Sequence, residues 1–228
     1  MLAGLHLCVI TDPGLAPGKD HVAIAEAALR GGADMIQLRD KAGDLRDLLR
    51  QARAIHALCR AQGALFIVND RVDLALAAGA DGAHVGQDDL PAEAARRLLG
   101  AGRLLGVSTH SPDQARAAEK AGADYIGFGP MFPTGTKDTG YLPQGLTALP
   151  EVRRATRLPI LAIGGITLEN VTGVIQAGAT APAVISAVVA APDIAAAAAA
   201  FRQRVAFAKS SSWDPGPPGA SEKGHGRR

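Results

Sequence analysis

The chain predicts one minimal (β/α)₈ barrel, an α/β TIM barrel, on three observations: eight short apolar runs, eight helix-forming stretches alternating with them, and a Gly-Ala-Asp tripeptide that recurs before every second run. Glycine there supplies the left-handed conformation that stops a helix, and alanine and aspartate turn the chain back into the sheet. The copies are Gly32-Ala33-Asp34, Gly79-Ala80-Asp81 and Gly122-Ala123-Asp124, with Gly178-Ala179-Thr180 as a weaker fourth. A two-βα repeat used four times suits a barrel, whose alternate strands fill the same interior layers. An open doubly wound sheet would carry five or six strands and a GxGxxG turn after the first, and this chain has neither.

The apolar runs, in order, are Leu5–Thr11, Met35–Leu38, Leu65–Val68, Gly82–Val85, Leu104–Val107, Tyr125–Phe128, Ile160–Ile163 and Ala183–Ser186. Each is short, aliphatic or β-branched and bounded by turn residues, as a buried parallel strand should be. The helical stretches that follow are His21–Arg30, Leu45–Gln62, Val72–Ala78, Ala92–Leu99, Pro112–Ala121, Leu146–Ala155, Glu169–Ala177 and Asp193–Ala208. Ser111 and Pro112 read as N-cap and first helical residue. From Lys209 the sequence turns Ser/Gly/Pro-rich and aperiodic, which predicts a barrel over 1–208 and a disordered tail over 209–228 that holds the single tryptophan, Trp213.

Hydrophobic residues make up 47% of the 228 and charged residues 20%, which excludes disorder of the whole chain. Cys8 and Cys59 match no CxxC or zinc spacing, and the N-terminus lacks a basic region followed by a long apolar one. A reduced cytoplasmic compartment is therefore expected. The stretch from Ala179 to Phe201 is interrupted by Pro182, Pro192 and Asp193 and is mostly alanine, so no membrane span is expected. The formal net charge of +2 resides in the tail, where Lys209, Lys223, Arg227 and Arg228 face Asp214 and Glu222. A barrel of balanced charge gives no reason to expect nucleic acid as a partner. The oligomeric state is left open, a homo-oligomer included.

Barrels of this kind carry their chemistry at the C-terminal strand ends. Strand two runs into Gln37-Leu38-Arg39-Asp40-Lys41, and the period of two sends Gln37, Arg39 and, with continued extension, Lys41 to one side. An amide and two cations sharing a face suit a phosphate or diphosphate better than a solvated loop. Strand three ends at Asn69-Asp70 and strand four is followed by Gln87-Asp88-Asp89. Alone, Asp70 or Asp89 would be a helix-start aspartate favoured by the dipole; beside the cations they suit Mg²⁺, which needs one or two carboxylates completed by water and phosphate. His84, inside strand four, reads as a packed core histidine. Ser108 is the inward hydroxyl after strand five, and His110 is either a general base or a rim residue.

The longest loop, Gly129 to Gly140, follows strand six and reads as a lid. Thr134, Gly135, Thr136 and Lys137 offer two hydroxyls, approachable backbone and an ammonium to an anion. After strands seven and eight, Gly164-Gly165 and Ile185-Ser186 expose amides where this fold usually seats a phosphate. Two anion sites spanned by one loop imply two phosphorylated small-molecule substrates, and the strand ends suggest no acyl-enzyme constellation.

Taken in order, QLRDK, NDR, HVGQDD, GVSTH, GPMFPTGTK and AIGGIT resemble the thiamine-phosphate synthase family of (β/α)₈ enzymes over Leu7 to Ala206. The resemblance implies a transferase of thiamine biosynthesis that joins hydroxymethylpyrimidine diphosphate to a thiazole phosphate, carboxylated or not, with Mg²⁺ and release of pyrophosphate. It further implies that Gln37, Leu38, Arg39, Asp40, Lys41, Asn69, Ser108 and Lys137 bind the pyrimidine diphosphate, Arg39, Lys41, Ser108 and Lys137 acting in catalysis. Asp70 and Asp89 would hold the metal; Thr134, Gly135, Thr136, Gly165, Ile185 and Ser186 would bind the thiazole phosphate. The implied chemistry is dissociative, with pyrophosphate leaving before the thiazole nitrogen attacks.

The strand-eight approach departs from the family pattern, reading Ala179-Thr180-Ala181-Pro182 where Ala-Asp-Gly and an aliphatic residue are usual. A proline there removes one ladder donor and bears on where Ile185 and Ser186 fall. The sister thiazole tautomerases typically lack the QDD and TxTK elements present here. A non-catalytic binder would have little use for the metal carboxylates, and a Schiff-base aldolase using Lys41 or Lys137 would be trapped by borohydride.

Overall fold

The computed structural model describes residues 2–41, 43–135 and 140–211. Eight parallel strands close into a barrel in sequence order: β1 (Cys8–Thr11), β2 (Met35–Leu38), β3 (Leu65–Asn69), β4 (Gly82–Val85), β5 (Leu104–Thr109), β6 (Tyr125–Phe128), β7 (Ile160–Ile163) and β8 (Ala181–Val184). Closure comes from Cys8 and Val9 of β1 pairing with Ala183 and Val184 of β8. Around it run α1 (His21–Arg30), α2 (Leu45–Gln62), α3 (Val72–Ala78), α4 (Ala92–Leu99), α5 (Pro112–Lys120), α6 (Ala148–Ala155), α7 (Val171–Gln176), a short α8 (Ser186–Val189) and α9 (Ile194–Ser210). This is the architecture expected from the alternation, with α8 added.

Strand alternation divides the core into two layers. Cys8, Ile10, Met35, Ile67, Tyr125 and Leu161 fill the barrel interior, while Ile36, Leu38, Phe66 and Val68 join the larger cluster between strands and helices. Leu38 thus points its side chain to the helices, and Gln37 points to the mouth.

The Gly-Ala-Asp repeat proves to be a strand-end clamp. Asp34 Oδ2 accepts the amides of His6 and Leu7 at 2.8 and 3.0 Å. Asp81 Oδ2 accepts that of Phe66 at 2.7 Å, and Asp124 Oδ2 that of Leu105 at 2.7 Å. Thr180 repeats the device with a hydroxyl, accepting the Ile160 amide at 3.0 Å while its own amide donates to Ile160 O at 2.8 Å. That pinning starts β8 at Ala181, two residues before the expected strand, with Pro182 opposite Ala162. Asp81→Ala would leave the Phe66 amide without its acceptor, costing about 2 kcal/mol. We expect Tm to fall by about 2–4 °C per kcal/mol for a domain of this size, and an unchanged calorimetric Tm would refute the clamp.

The last helix reaches Ser210, past the expected end at Ala208. Lys209 therefore belongs to a helix, and its ammonium donates to Leu5 O at the barrel bottom. One cation assigned to the tail is in fact part of the fold, tying the last helix to the first strand's approach. Trp213 lies outside the described residues.

Burial pushes both thiols, Cys8 and Cys59, up to about 12. The unfolded chain sheds these protons near pH 8.5 to 9, the folded chain only near 12. Stability is thus unaffected by them below pH ~8.5 and falls as pH rises toward 12, by about 1.4 kcal/mol per pH unit for each thiol. Urea midpoints followed from about pH 8 to about pH 10.5 should decline, and less steeply in Cys59→Ala, which has one buried thiol fewer.

Candidate active site

One cavity opens at the C-terminal mouth of the barrel. One side is lined by Gln37, Arg39, Asn69, His84 and Ser108; the other by Gly164, Gly165, Ile185, Ser186 and Ala187, with Thr134 and His110 at the rim. Its walls therefore come from β2 through β8, and its floor is set by the interior residues beneath.

The floor is a polar chain drawn from four strands, β2, β4, β5 and β6. His84 Nε2 lies 2.9 Å from Ser108 Oγ, and His84 Nδ1 lies 3.2 Å from the hydroxyl of Tyr125. Tyr125 is fully buried, and that burial, ahead of nearby Cys8 and Asp124, pushes its phenol well above the usual value despite a hydrogen bond with Gln37. The chain thus joins Gln37, Tyr125, His84 and Ser108. It fits because residue 106 is glycine: a methyl group there would lie 2.2 Å from Tyr125 Cζ and 2.4 Å from His84 Nδ1. His84 is buried, as a core histidine should be, yet it also lines the cavity.

Arg39 is the cation of the described lining. Its Nε is buried and has no hydrogen-bond partner among the described residues, which suits a guanidinium awaiting an anion. Strand β2 ends at Leu38, so the extension needed to carry Lys41 beside Arg39 does not continue. Lys41 and Asp40 line a neighbouring cavity with Asp12, Pro13, Gly14 and His21, and Arg39 borders both.

The two aspartates converge on the end of β4. Asp70 donates its amide to His84 O at 2.7 Å, and Asp89 Oδ2 accepts the Gly86 amide at 2.7 Å. Asp70 has φ of 62°, the sole positive φ outside glycine among the described residues, and aspartate is one of the few side chains that tolerate it. No group of three or more His, Cys, Asp or Glu able to hold a metal occurs among the described residues. Asp70 and Asp89 are thus anchored at one strand end, though neither is among the residues lining the cavity; two carboxylates there would suit Mg²⁺, which takes its other ligands from water and phosphate.

The β6 loop is stitched to the β7 end. Met131 and Phe132 donate to Ile163 O and Gly164 O at 2.9 and 3.0 Å, and Gly165, at φ of 62°, sits where a methyl group would come within 2.6 Å of Pro133 O. Glycine is needed at 165 on both counts. His110 Nδ1 is bonded to Gly129 O, and its ring stacks on Tyr141 at 3.7 Å between centroids. A methyl group at Gly135 would meet nothing within 4 Å among the described residues, whereas Thr136 and Lys137 lie outside them. Ile185 and Ser186 stand at the start of α8, against the cavity. Sequence reasoning missed the Tyr125–His84 pair and the role of His21 beside Asp40; the alternation of His84 with Gly82, and of Ser108 with Gly106, was the available signal.

A closed (β/α)₈ barrel that gathers an arginine, two histidines, hydroxyls and amides at the C-terminal ends of its strands defines the class of barrel enzymes that act on small molecules at that face. The family model described as thiamine monophosphate synthase matches residues 7–188, and the chain belongs to that family of transferases of thiamine biosynthesis. It is 55% identical over 195 residues to the thiamine-phosphate synthase of Chlorobium phaeovibrioides, covering 86% of this chain and 91% of the relative. To that of Methanoculleus marisnigri it is 52% identical over 206 residues, covering 90% and 98%. The solved thiamine phosphate pyrophosphorylase of Pyrococcus furiosus superposes with a TM-score of 0.83 at 38% identity, covering 91% of this chain and 98% of that one. No described helix is long and apolar enough to cross a membrane.

Proposed function

We propose that the barrel condenses hydroxymethylpyrimidine diphosphate with a thiazole phosphate, carboxylated or not, to give thiamine phosphate and pyrophosphate in the cytoplasm. The observation that carries this reading is one cavity with two unlike sides, Arg39 with its buried Nε, unpartnered among the described residues, on one and the Gly164-Gly165 and Ile185-Ser186 backbone on the other. Such a cavity can seat two phosphorylated partners with their reacting ends facing.

In this reading Gln37, Asn69 and Ser108 orient the pyrimidine, and Arg39, Lys41 and Lys137 balance the charge that grows on the departing diphosphate. Leu38 and Asp40 contribute as parts of the strand-two turn rather than through side chains in the main cavity. Thr134, Gly135, Thr136, Gly165, Ile185 and Ser186 hold the thiazole phosphate. Asp70 and Asp89 are the residues that would hold Mg²⁺, which when bound supplies positive charge to the diphosphate.

Carbon–oxygen cleavage ahead of attack leaves a pyrimidine methylene cation, which the thiazole nitrogen captures. The β6 loop excludes water, the competing nucleophile. Incubation with both phosphorylated precursors, with and without Mg²⁺, should yield thiamine phosphate only when all three are present. No product under any condition would reject the reading.

A further inference from the structure

A buried histidine stands behind the turn that carries the strand-two cations. The side chain of His21, at the start of α1, is 3% exposed, and its Nε2 lies 3.2 Å from Asp40 Oδ2. Its Nδ1 lies 2.7 Å from Thr11 Oγ1 at the end of β1, and its backbone amide donates to Gln51 Oε1 of α2 at 3.1 Å. Gln51 in turn donates to Asp47 Oδ2 at 2.7 Å. An ionised carboxylate only accepts, so Nε2–H donates to Asp40 and Nδ1 is left facing the Thr11 hydroxyl.

Asp40 is gripped from its other side as well. Its Oδ1 accepts the Gly43 amide at 2.8 Å, and a methyl group at Gly43 would come within 2.5 Å of Oδ2. The carboxylate therefore closes the turn on itself and ties it to the barrel wall through His21. It is flanked in sequence by Arg39 and Lys41. A carboxylate in that position, if loose, would compete with an incoming anion for both cations and repel it.

We propose that His21 is a positioning residue: by holding Asp40 it fixes the turn bearing Arg39 and Lys41 and draws that carboxylate away from the diphosphate. The proposal rests on the reading of the cationic side as the diphosphate site. His21 stands outside the lining of the main cavity and acts through Asp40, so its contribution is confined to the cationic side. A merely structural histidine would affect both halves alike.

The test uses the full chain with His21→Leu, His21→Gln, Asp40→Ala and the His21→Leu/Asp40→Ala double variant. His21→Leu should raise KM for the pyrimidine diphosphate about tenfold and leave KM for the thiazole phosphate within about twofold, while His21→Gln, which keeps a donor, recovers most of the loss. The double variant should be no worse than Asp40→Ala alone, because the two residues act as one unit. Equal shifts in both KM values, or losses that multiply in the double variant, overturn the proposal. If His21→Leu does not fold, Asp40→Ala decides: an unchanged KM for the diphosphate substrate overturns it. Calorimetric binding of inorganic pyrophosphate with Mg²⁺ separates this from the functional reading. A parent chain that makes no thiamine phosphate, but whose pyrophosphate affinity falls about tenfold in His21→Leu, sinks the functional reading and leaves the strut standing. Turnover by the parent with the same pyrophosphate affinity in parent and variant overturns the strut alone.

Discussion

Asp70→Asn is expected to lower kcat/KM by about two to three orders of magnitude, with Tm close to the parent's, and Lys137→Ala to lower it comparably. Asparagine tolerates the left-handed backbone that Asp70 adopts at φ of 62°, so the substitution removes the charge without straining the backbone. Asp70 also keeps its amide bond to His84 O in either form, since that bond is made by the backbone. The lost carboxylate would leave Asp89 as the other proposed metal holder, and the Mg²⁺ concentration for half-maximal turnover should rise. Lys137 enters from its place in the Thr134-to-Lys137 motif, as it lies outside the described residues. Steady-state kinetics over a magnesium series check both, and near-parent turnover in both variants would sink the site assignment.

Gly106→Ala is expected to damage stability and activity together. The added methyl would fall 2.2 Å from Tyr125 Cζ and 2.4 Å from both the Tyr125 hydroxyl and His84 Nδ1. Tyr125 is fully buried in the barrel interior, so it can yield only into the cavity whose floor it forms. Overpacking of this kind costs about 1–3 kcal/mol. Relief requires His84 to move, and with it the 2.9 Å contact that holds Ser108 at the cavity floor. A fall in kcat/KM of about a hundredfold would follow from an ångström of misplacement. Gly102→Ala, at an exposed turn with open space around it, is the control and should change neither Tm nor kinetics. A Gly106→Ala enzyme with the parent's melting point and rates would show that the floor does not depend on this fit.

Much of the architecture was legible because it rests on local periodicity. The strands at Met35–Leu38, Gly82–Val85, Tyr125–Phe128 and Ile160–Ile163, and the four helices from His21 to Leu99, occur at the positions their patterns predict. Strand eight begins earlier than its pattern predicts because its start is set by Thr180 bonding to Ile160 on another strand, a contact that apolar patterning does not encode. The last helix runs past Ala208 because Lys209 finds an acceptor in Leu5, 204 residues away in sequence. In the site, Gln37, Arg39, Asn69 and Ser108 could be named from strand-end position alone, and all four line the cavity. Lys41 could not be placed that way, since the turn after Leu38 ends the alternation and carries it to the neighbouring cavity.

By itself the sequence determined the barrel, the order of its strands and the mouth on which polar residues gather, since these follow from a repeat of period two within strands and a glycine stop at helix ends. Only the tertiary structure decided which polar groups meet. Tyr125 reaching across Gly106 to His84, and His21 gripping Asp40 from the first helix, join residues 41 and 19 positions apart. Such pairings depend on how closed strands and packed helices bring side chains within hydrogen-bond range, and a linear pattern carries the direction of a side chain but not its partner.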